Sequence, residues 1–250
     1  MRLPRRLSPG EEATLVEHLD ELRTRLLVSI GAVVVGFVVA YIFHERLIEW
    51  LREPLPDDKE LVTLGVTEPL TTSLKVSLYA AFALALPVLL WQLWSFLAPA
   101  MEENAQRIVA VFVAIATALF AAGLAFGYFI LMPKAVEFLT EYDSHLYEIQ
   151  IRASYYFSFV AVMLLAVAFF FELPILILAL VRLGVVNSGQ LRRNRRYLVV
   201  AAVGLAVALP TADPVSLVLE TVPLLILLES SIWVAAILEK RWHPAATEVP

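Results

Sequence analysis

An all-α integral membrane protein with six spanning helices is the fold expected of this chain, and three features lead to it. Hydrophobic residues make up 60% of the 250 residues, against about 45–50% in an ordinary globular domain. Charged residues fall to 17% where about 25% is usual, so a water-soluble fold would have to expose large apolar patches. The remaining charges bracket long apolar runs, and none of these alternates with period two as a barrel strand would. Disorder is excluded by the same apolar content, with 14 Phe, 5 Trp and 8 Tyr. The lack of cysteine removes disulfides, thiol chemistry and Cys-based metal sites. A net charge of −5 leaves no footprint for nucleic acid.

The N-terminal segment comes first in the chain. In TLVEHLDELRTR, residues 14–25, Leu15, Leu19, Leu22 and Leu26 recur at i, i+4, i+7 and i+11, backed by Glu17, Asp20, Glu21 and Thr24. This pattern predicts an amphipathic helix in the cytoplasmic interface that runs into the first span. A solvated face with Glu21 and Arg25 paired at i,i+4 accounts for the same residues. An acidic stripe beside a membrane entrance would instead receive a cationic peptide.

Spans are expected at about 26–43, 76–97, 108–131, 155–181, 197–211 and 215–238, the fifth being short for a bilayer crossing. The first exceeds a signal-peptide core and lacks a small-x-small cleavage site, so it is read as retained. Residues 1–250 form a single polytopic membrane domain on this reading. Pro87, Pro174 and Pro223 lie inside the second, fourth and sixth spans, where each is expected to kink its helix.

Six spans put both termini on one side. Arg2, Arg5, Arg6, Arg23, Arg25, Arg107, Arg182, Arg192, Arg193, Arg195, Arg196, Lys240 and Arg241 share that side, 13 of the 19 basic residues. The positive-inside rule makes it cytoplasmic. The opposite connections, 45–74 and 133–152 and a tight turn near Asp213, face outward. The first of them is acidic, with Glu45, Glu49, Glu53, Asp57, Asp58, Glu60 and Glu68.

Polar groups among the spans need a reason. The cytoplasmic turn QLWSFLAPAMEENAQR breaks at Pro99 and places Glu102 and Glu103 in the first turn of the next helix. There they suit the positive end of the helix dipole, and Glu103 can pair with Arg107. They also put two carboxylates on the same membrane face as Glu21, beside the aromatics Trp91, Trp94 and Phe96. Glu172 lies ten residues before Arg182, roughly 15 Å into the bilayer at about 1.5 Å per residue. Such a carboxylate is costly and should face protein or water, and Pro174 adds a freed backbone carbonyl beside it. Glu220 and Glu229 carry a weaker form of the same reading. Catalytic constellations do not assemble: His18, His44, His145 and His243 are scattered, and HExxH, GxSxG and a glycine-rich phosphate loop are missing. Neither enzymatic activity nor a metal or other cofactor is expected.

Several strings then agree with one family. EHLDELRTR at 17–25, PVLLWQLWSFLAPA at 87–100, FGYFILMP at 126–133, the FELP at 171–174 and LRRNRRY at 191–197 occur in an order and spacing that resemble TatC. That family is the polytopic subunit of the twin-arginine protein translocase, and the resemblance covers nearly the whole chain. It implies a cytoplasmic face that binds the paired arginines of a folded cargo's signal peptide. It also implies single-span TatA/TatB-type partners packed against the last helices, a multimeric complex in the cytoplasmic membrane of a prokaryote, and energy from the proton-motive force without nucleotide. Position by position, Glu21 matches the acid of the N-terminal motif and Arg23 its basic companion. Phe96 and Pro99 match the first cytoplasmic turn, Pro54 the first outside loop, Tyr128 the third helix, and Glu172 the acid of the fourth.

Two departures matter. A second signal-binding glutamate, usual nine residues after the phenylalanine, is replaced by Ala105, and Glu102 or Glu103 would have to substitute. On a helix Glu102 lies three positions away, within about 60° of the missing side chain, whereas Glu103 lies about 200° round. Glu102 is therefore the better substitute. After the fifth span the order is Pro210-Thr211-Ala212-Asp213, where the family shows Thr-Pro before the aspartate. The alternative function is a proton- or ion-coupled transporter of a small solute built on Glu172.

Overall fold

The computed structural model describes residues 15–56, 59–97, 105–147, 149–207 and 213–242. Regular structure among them is helical, apart from a two-residue parallel pairing of β1 (Leu61–Val62) with β2 (Ile151–Arg152). Five helical stretches are long and apolar enough to cross a membrane: Leu19–Ile42, Glu68–Phe96, Val109–Glu141, Ala153–Arg182 and Pro214–Glu239. The chain divides into two compact units, Met1–His44 with Ser77–Ala118, and Glu45–Val76 with Leu119–Pro250.

The first unit holds α1 (Leu15–Ile42) and the adjoining parts of α3 (Glu68–Leu97) and α4 (Ala105–Phe126). The amphipathic segment and the first span are one unbroken helix. Nothing between Glu21 and Ser29 breaks it, and the Thr24 and Ser29 hydroxyls donate to carbonyls one turn back, at 3.0 and 2.9 Å. Small residues let α1 approach α3 closely. A Cβ on Gly36 would stand 2.9 Å from the Ala81 carbonyl oxygen, and Ala40, Ser77, Ala81 and Ala85 are buried around it. The rest of α1, including

The second unit begins with α2 (His44–Arg52), a short helix inside the acidic connection that the sequence reading left without structure. The third apolar run does not end near 131. A π-helical turn, Gly127–Leu131, carries it into α5 (Met132–Glu141), with the Met132 N–H donating to the Gly127 carbonyl. This wider turn falls directly ahead of Pro133, whose ring would crowd a regular α-helical turn. The fourth run is interrupted: α6 (Ala153–Phe171) gives way at Glu172 to α7 (Leu173–Arg182), and the Glu172 N–H turns to the Phe169 carbonyl at 3.1 Å. Pro174 forces this break, because it removes a donor and clashes one turn back. By contrast α3 and α10 (Pro214–Trp242) stay helical through Pro87 and Pro223.

Two cores form in this unit. One gathers Tyr128, Leu131, Met132, Tyr156, Val160 and Met163. The other joins α7, α9 (Arg195–Val207) and α10 through Ile177, Val181, Ala206, Leu224, Leu228 and Ile232, with α8 (Ser188–Arg193) adding Leu191. The fifth expected span corresponds to α9, whose 13 residues extend about 20 Å against the ~30 Å of a hydrocarbon core. Residues 208–211 of that expected span lie outside the described residues.

Candidate functional site

Glu21 stands on α1 with Arg25 one turn further on. Arg25 donates from Nε and Nη2 to Glu21 Oε1, at 2.9 and 2.5 Å. Its Nη2 also reaches the Ser95 carbonyl at 3.0 Å, and its Nη1 lies 3.4 Å from Gln92 Oε1. Ser95 belongs to the last turn of α3, where unpaired carbonyls and the helix dipole favour a cation. Both members of the pair keep roughly a quarter of their side-chain surface exposed. A guanidinium is thus held between a carboxylate and a helix C-terminus at a site open to ligand. Arg23 is exposed and sits about 200° round the helix from Glu21, so it does not share this site.

Phe96 is half-buried beside Ser95, and Trp94 behind it is buried, meeting Phe112 of α4 edge-on at 5.3 Å. The Trp94 Nε1 has no hydrogen-bond partner among the described residues. Pro99, Glu102 and Glu103 lie outside the described residues, as does the expected pairing of Glu103 with Arg107. The geometric substitution for Ala105 therefore stays an expectation.

A second polar locus lies at the helix break. Both carboxylate oxygens of Glu172 are buried, with no hydrogen-bond partner among the described residues. Glu220 of α10 is buried as well. Glu229 has a different environment: it takes the Arg195 Nε at the start of α9, an ordinary ion pair near a helix end. Asp213 is a helix cap, its Oδ1 accepting from the Ser216 N–H at 2.7 Å, while its Oδ2 is buried without a partner among the described residues.

Tyr128 and Pro54 belong together. The π turn aims Tyr128 at α2, where its ring stacks on Trp50 at 3.8 Å. Its hydroxyl lies 2.8 Å from the Trp50 carbonyl and 3.1 Å from Glu53 Oε2, one donor shared by two acceptors. Tyr156 donates to the Leu51 carbonyl at 3.0 Å. Two tyrosines thereby satisfy carbonyls of the last turn of α2, and half-buried Pro54 follows directly. The sequence reading missed Trp50 and Tyr156, because nothing local links them.

It also missed Glu68 as more than one acid among several. Buried Glu68 accepts from the Leu64 N–H at 2.9 Å, the Ser154 N–H at 3.2 Å and the Arg152 Nε at 2.9 Å. This carboxylate locks the pairing of β1 with β2, and its hydrogen bond holds the Arg152 guanidinium above its ordinary pKa. An acid and an arginine each standing directly before a long apolar run was the available signal.

Comparison with known proteins fits this geometry. The family model for the Sec-independent protein translocase protein TatC matches residues 17–223. A TatC of Desulforapulum autotrophicum is 36% identical over 235 residues, covering 92% of this chain and 87% of that one. TatCd of Bacillus subtilis is 33% identical, covering 92% and 95%. TatC of Aquifex aeolicus is 35% identical, covering 91% and 96%. A crystal structure described as the twin arginine translocase receptor TatC in DDM superposes with a TM-score of 0.77 at 36% identity, covering 87% of this chain and 99% of that one.

Proposed function

The chain belongs to the TatC family of Sec-independent protein translocase proteins, and from that membership we propose that it is the receptor subunit that binds twin-arginine signal peptides of folded cargo. The binding face comprises Glu21, Arg23, Phe96, Pro99, Glu102 and Glu103. One observation carries the reading: Glu21 already holds a guanidinium, that of Arg25, between a carboxylate and the carbonyl end of α3. Arginine presents a planar fork of donors that never deprotonates, which suits such a site, whereas a lysine ammonium is a point charge and a poorer ligand.

The protein works in the cytoplasmic membrane of a prokaryote as a six-span polytopic domain with both termini cytoplasmic. Its energy comes from the proton-motive force, and it needs no cofactor. TatA/TatB-type single-span subunits pack against its last helices in a multimeric complex, with the buried, unpaired carboxylate of Glu172 offered to a partner helix or inserted peptide. The relatives carry the names of protein translocases, which supports export over solute carriage.

Photocrosslinking to a twin-arginine signal peptide tests the site. Glu21→Ala and Glu102→Ala are each expected to weaken the crosslink, Glu103→Ala less so, and Ala105→Glu to restore part of the loss in Glu102→Ala. Export of a folded reporter should fall when its arginine pair becomes a lysine pair. An undiminished crosslink in Glu21→Ala would remove that acid from the site, and one in Glu102→Ala would leave recognition to Glu21 with other groups.

A further inference from the structure

We propose that Arg25 is a built-in occupant of the arginine site, a specificity-determining residue that an incoming guanidinium must displace from Glu21. The inference rests on the reading of Glu21 as a signal-peptide acid and adds what sets its threshold.

Three features carry it. First, Arg25 is not the loose surface partner that an i,i+4 pair usually is. It is tied at its far side to Gln92 and to the Ser95 carbonyl, 67 and 70 residues away in sequence. Tethered one turn from Glu21, it competes at a high effective concentration that no free ligand matches without better contacts. Second, Arg25 has somewhere to go. The Ser95 carbonyl and Gln92 remain as acceptors once Glu21 is surrendered, so displacement leaves neither charge stranded in the half-buried site. Third, both donations to Glu21 converge on Oε1. A ligand can first engage the carboxylate through Oε2 and then exchange one guanidinium for another.

The consequence is selectivity. A competitor of the same chemistry sets a bar that a second arginine meets on equal terms. A lysine cannot meet it, because its ammonium lacks the planar fork. Arg23 cannot play this part, since it is exposed and lies on the opposite side of α1.

Full-length protein in lipid nanodiscs, titrated with labelled signal peptides carrying an Arg-Arg or a Lys-Lys pair, tests the proposal. Arg25→Gln is expected to tighten the Lys-Lys peptide by about 3- to 5-fold, the range one weak ion pair spans, and to change the Arg-Arg peptide less. The ratio of the two affinities then falls. Arg25→Lys, which keeps the charge and loses the fork, should lower the ratio by a smaller factor and serves if Arg25→Gln does not fold. Equal weakening of both peptides, at an unchanged unfolding temperature, would show that Arg25 merely orients Glu21 and would overturn the proposal. An unchanged ratio in both variants would overturn it too. Glu21→Gln separates the two readings. If it abolishes the Arg-Arg preference while Arg25→Gln leaves the ratio alone, only the occupant idea fails. If Glu21→Gln binds like the parent, the site itself fails and this proposal with it.

Discussion

Glu172 keeps two carboxylate oxygens away from water and, among the described residues, from every hydrogen-bond donor. An ionisable group so placed is a burden of a few kcal/mol on the folded protein. Pro174 compounds it by interrupting the helix there, so the fold gains nothing visible from either residue. A group that destabilises its own surroundings is expected where function uses it. Glu172→Leu should therefore leave the unfolding temperature in detergent unchanged or raise it, while export of a folded reporter drops by about tenfold, the loss of one partner hydrogen bond to a charged group. Normal export in that variant would reduce Glu172 to a structural oddity. Glu68 is the contrasting case. It too is buried, but it accepts from three donors and holds two connections together, so its carboxylate needs no partner from outside.

Helices in this chain meet through small residues and part company through proline. Gly123 on α4 is the tightest contact, where a Cβ would stand 2.7 Å from the Ala168 Cα of α6. Backbone cannot yield as a flexible side chain can, so Gly123→Val should destabilise by about 1–3 kcal/mol. Gly204 on α9 is the control, with open space around its Cβ direction. Gly204→Ala should stabilise by up to about 1 kcal/mol through helix propensity alone. Thermal unfolding in detergent should move in opposite directions for the two. A shared direction would mean that the close approach of α4 and α6 does not limit stability. The π turn at Gly127–Leu131 belongs with these devices, because it brings Tyr128 onto Trp50 while passing Pro133.

For the molecule as a whole, orientation follows from where arginine and lysine accumulate. Thirteen of nineteen lie on the side assigned to the cytoplasm. A reporter fused after Pro250 should then be cytoplasmic, and one inserted near Asp57 should be outside. Both reporters on one side would overturn the six-span topology and would make α9, with its 13 residues, something other than a crossing.

Much was legible in composition and spacing. The apolar runs foretold the long helices, since a bilayer demands length and hydrophobicity, and both are local properties of a chain. The i,i+4 relation likewise foretold that Glu21 and Arg25 could pair. What stayed hidden were the second partners. Arg25 finds Ser95 across 70 residues, Glu68 finds Arg152 across 84, and Tyr156 finds the Leu51 carbonyl across 105. Helix α2 was missed for the same reason: His44–Arg52 reads as a charged connection until Tyr128 and Tyr156 dock it. Periodicity records what each segment must hide from water or show to lipid. Which two helices then meet depends on backbone approach at residues such as Gly36 and Gly123, and only that approach brings distant donors and acceptors within hydrogen-bonding reach.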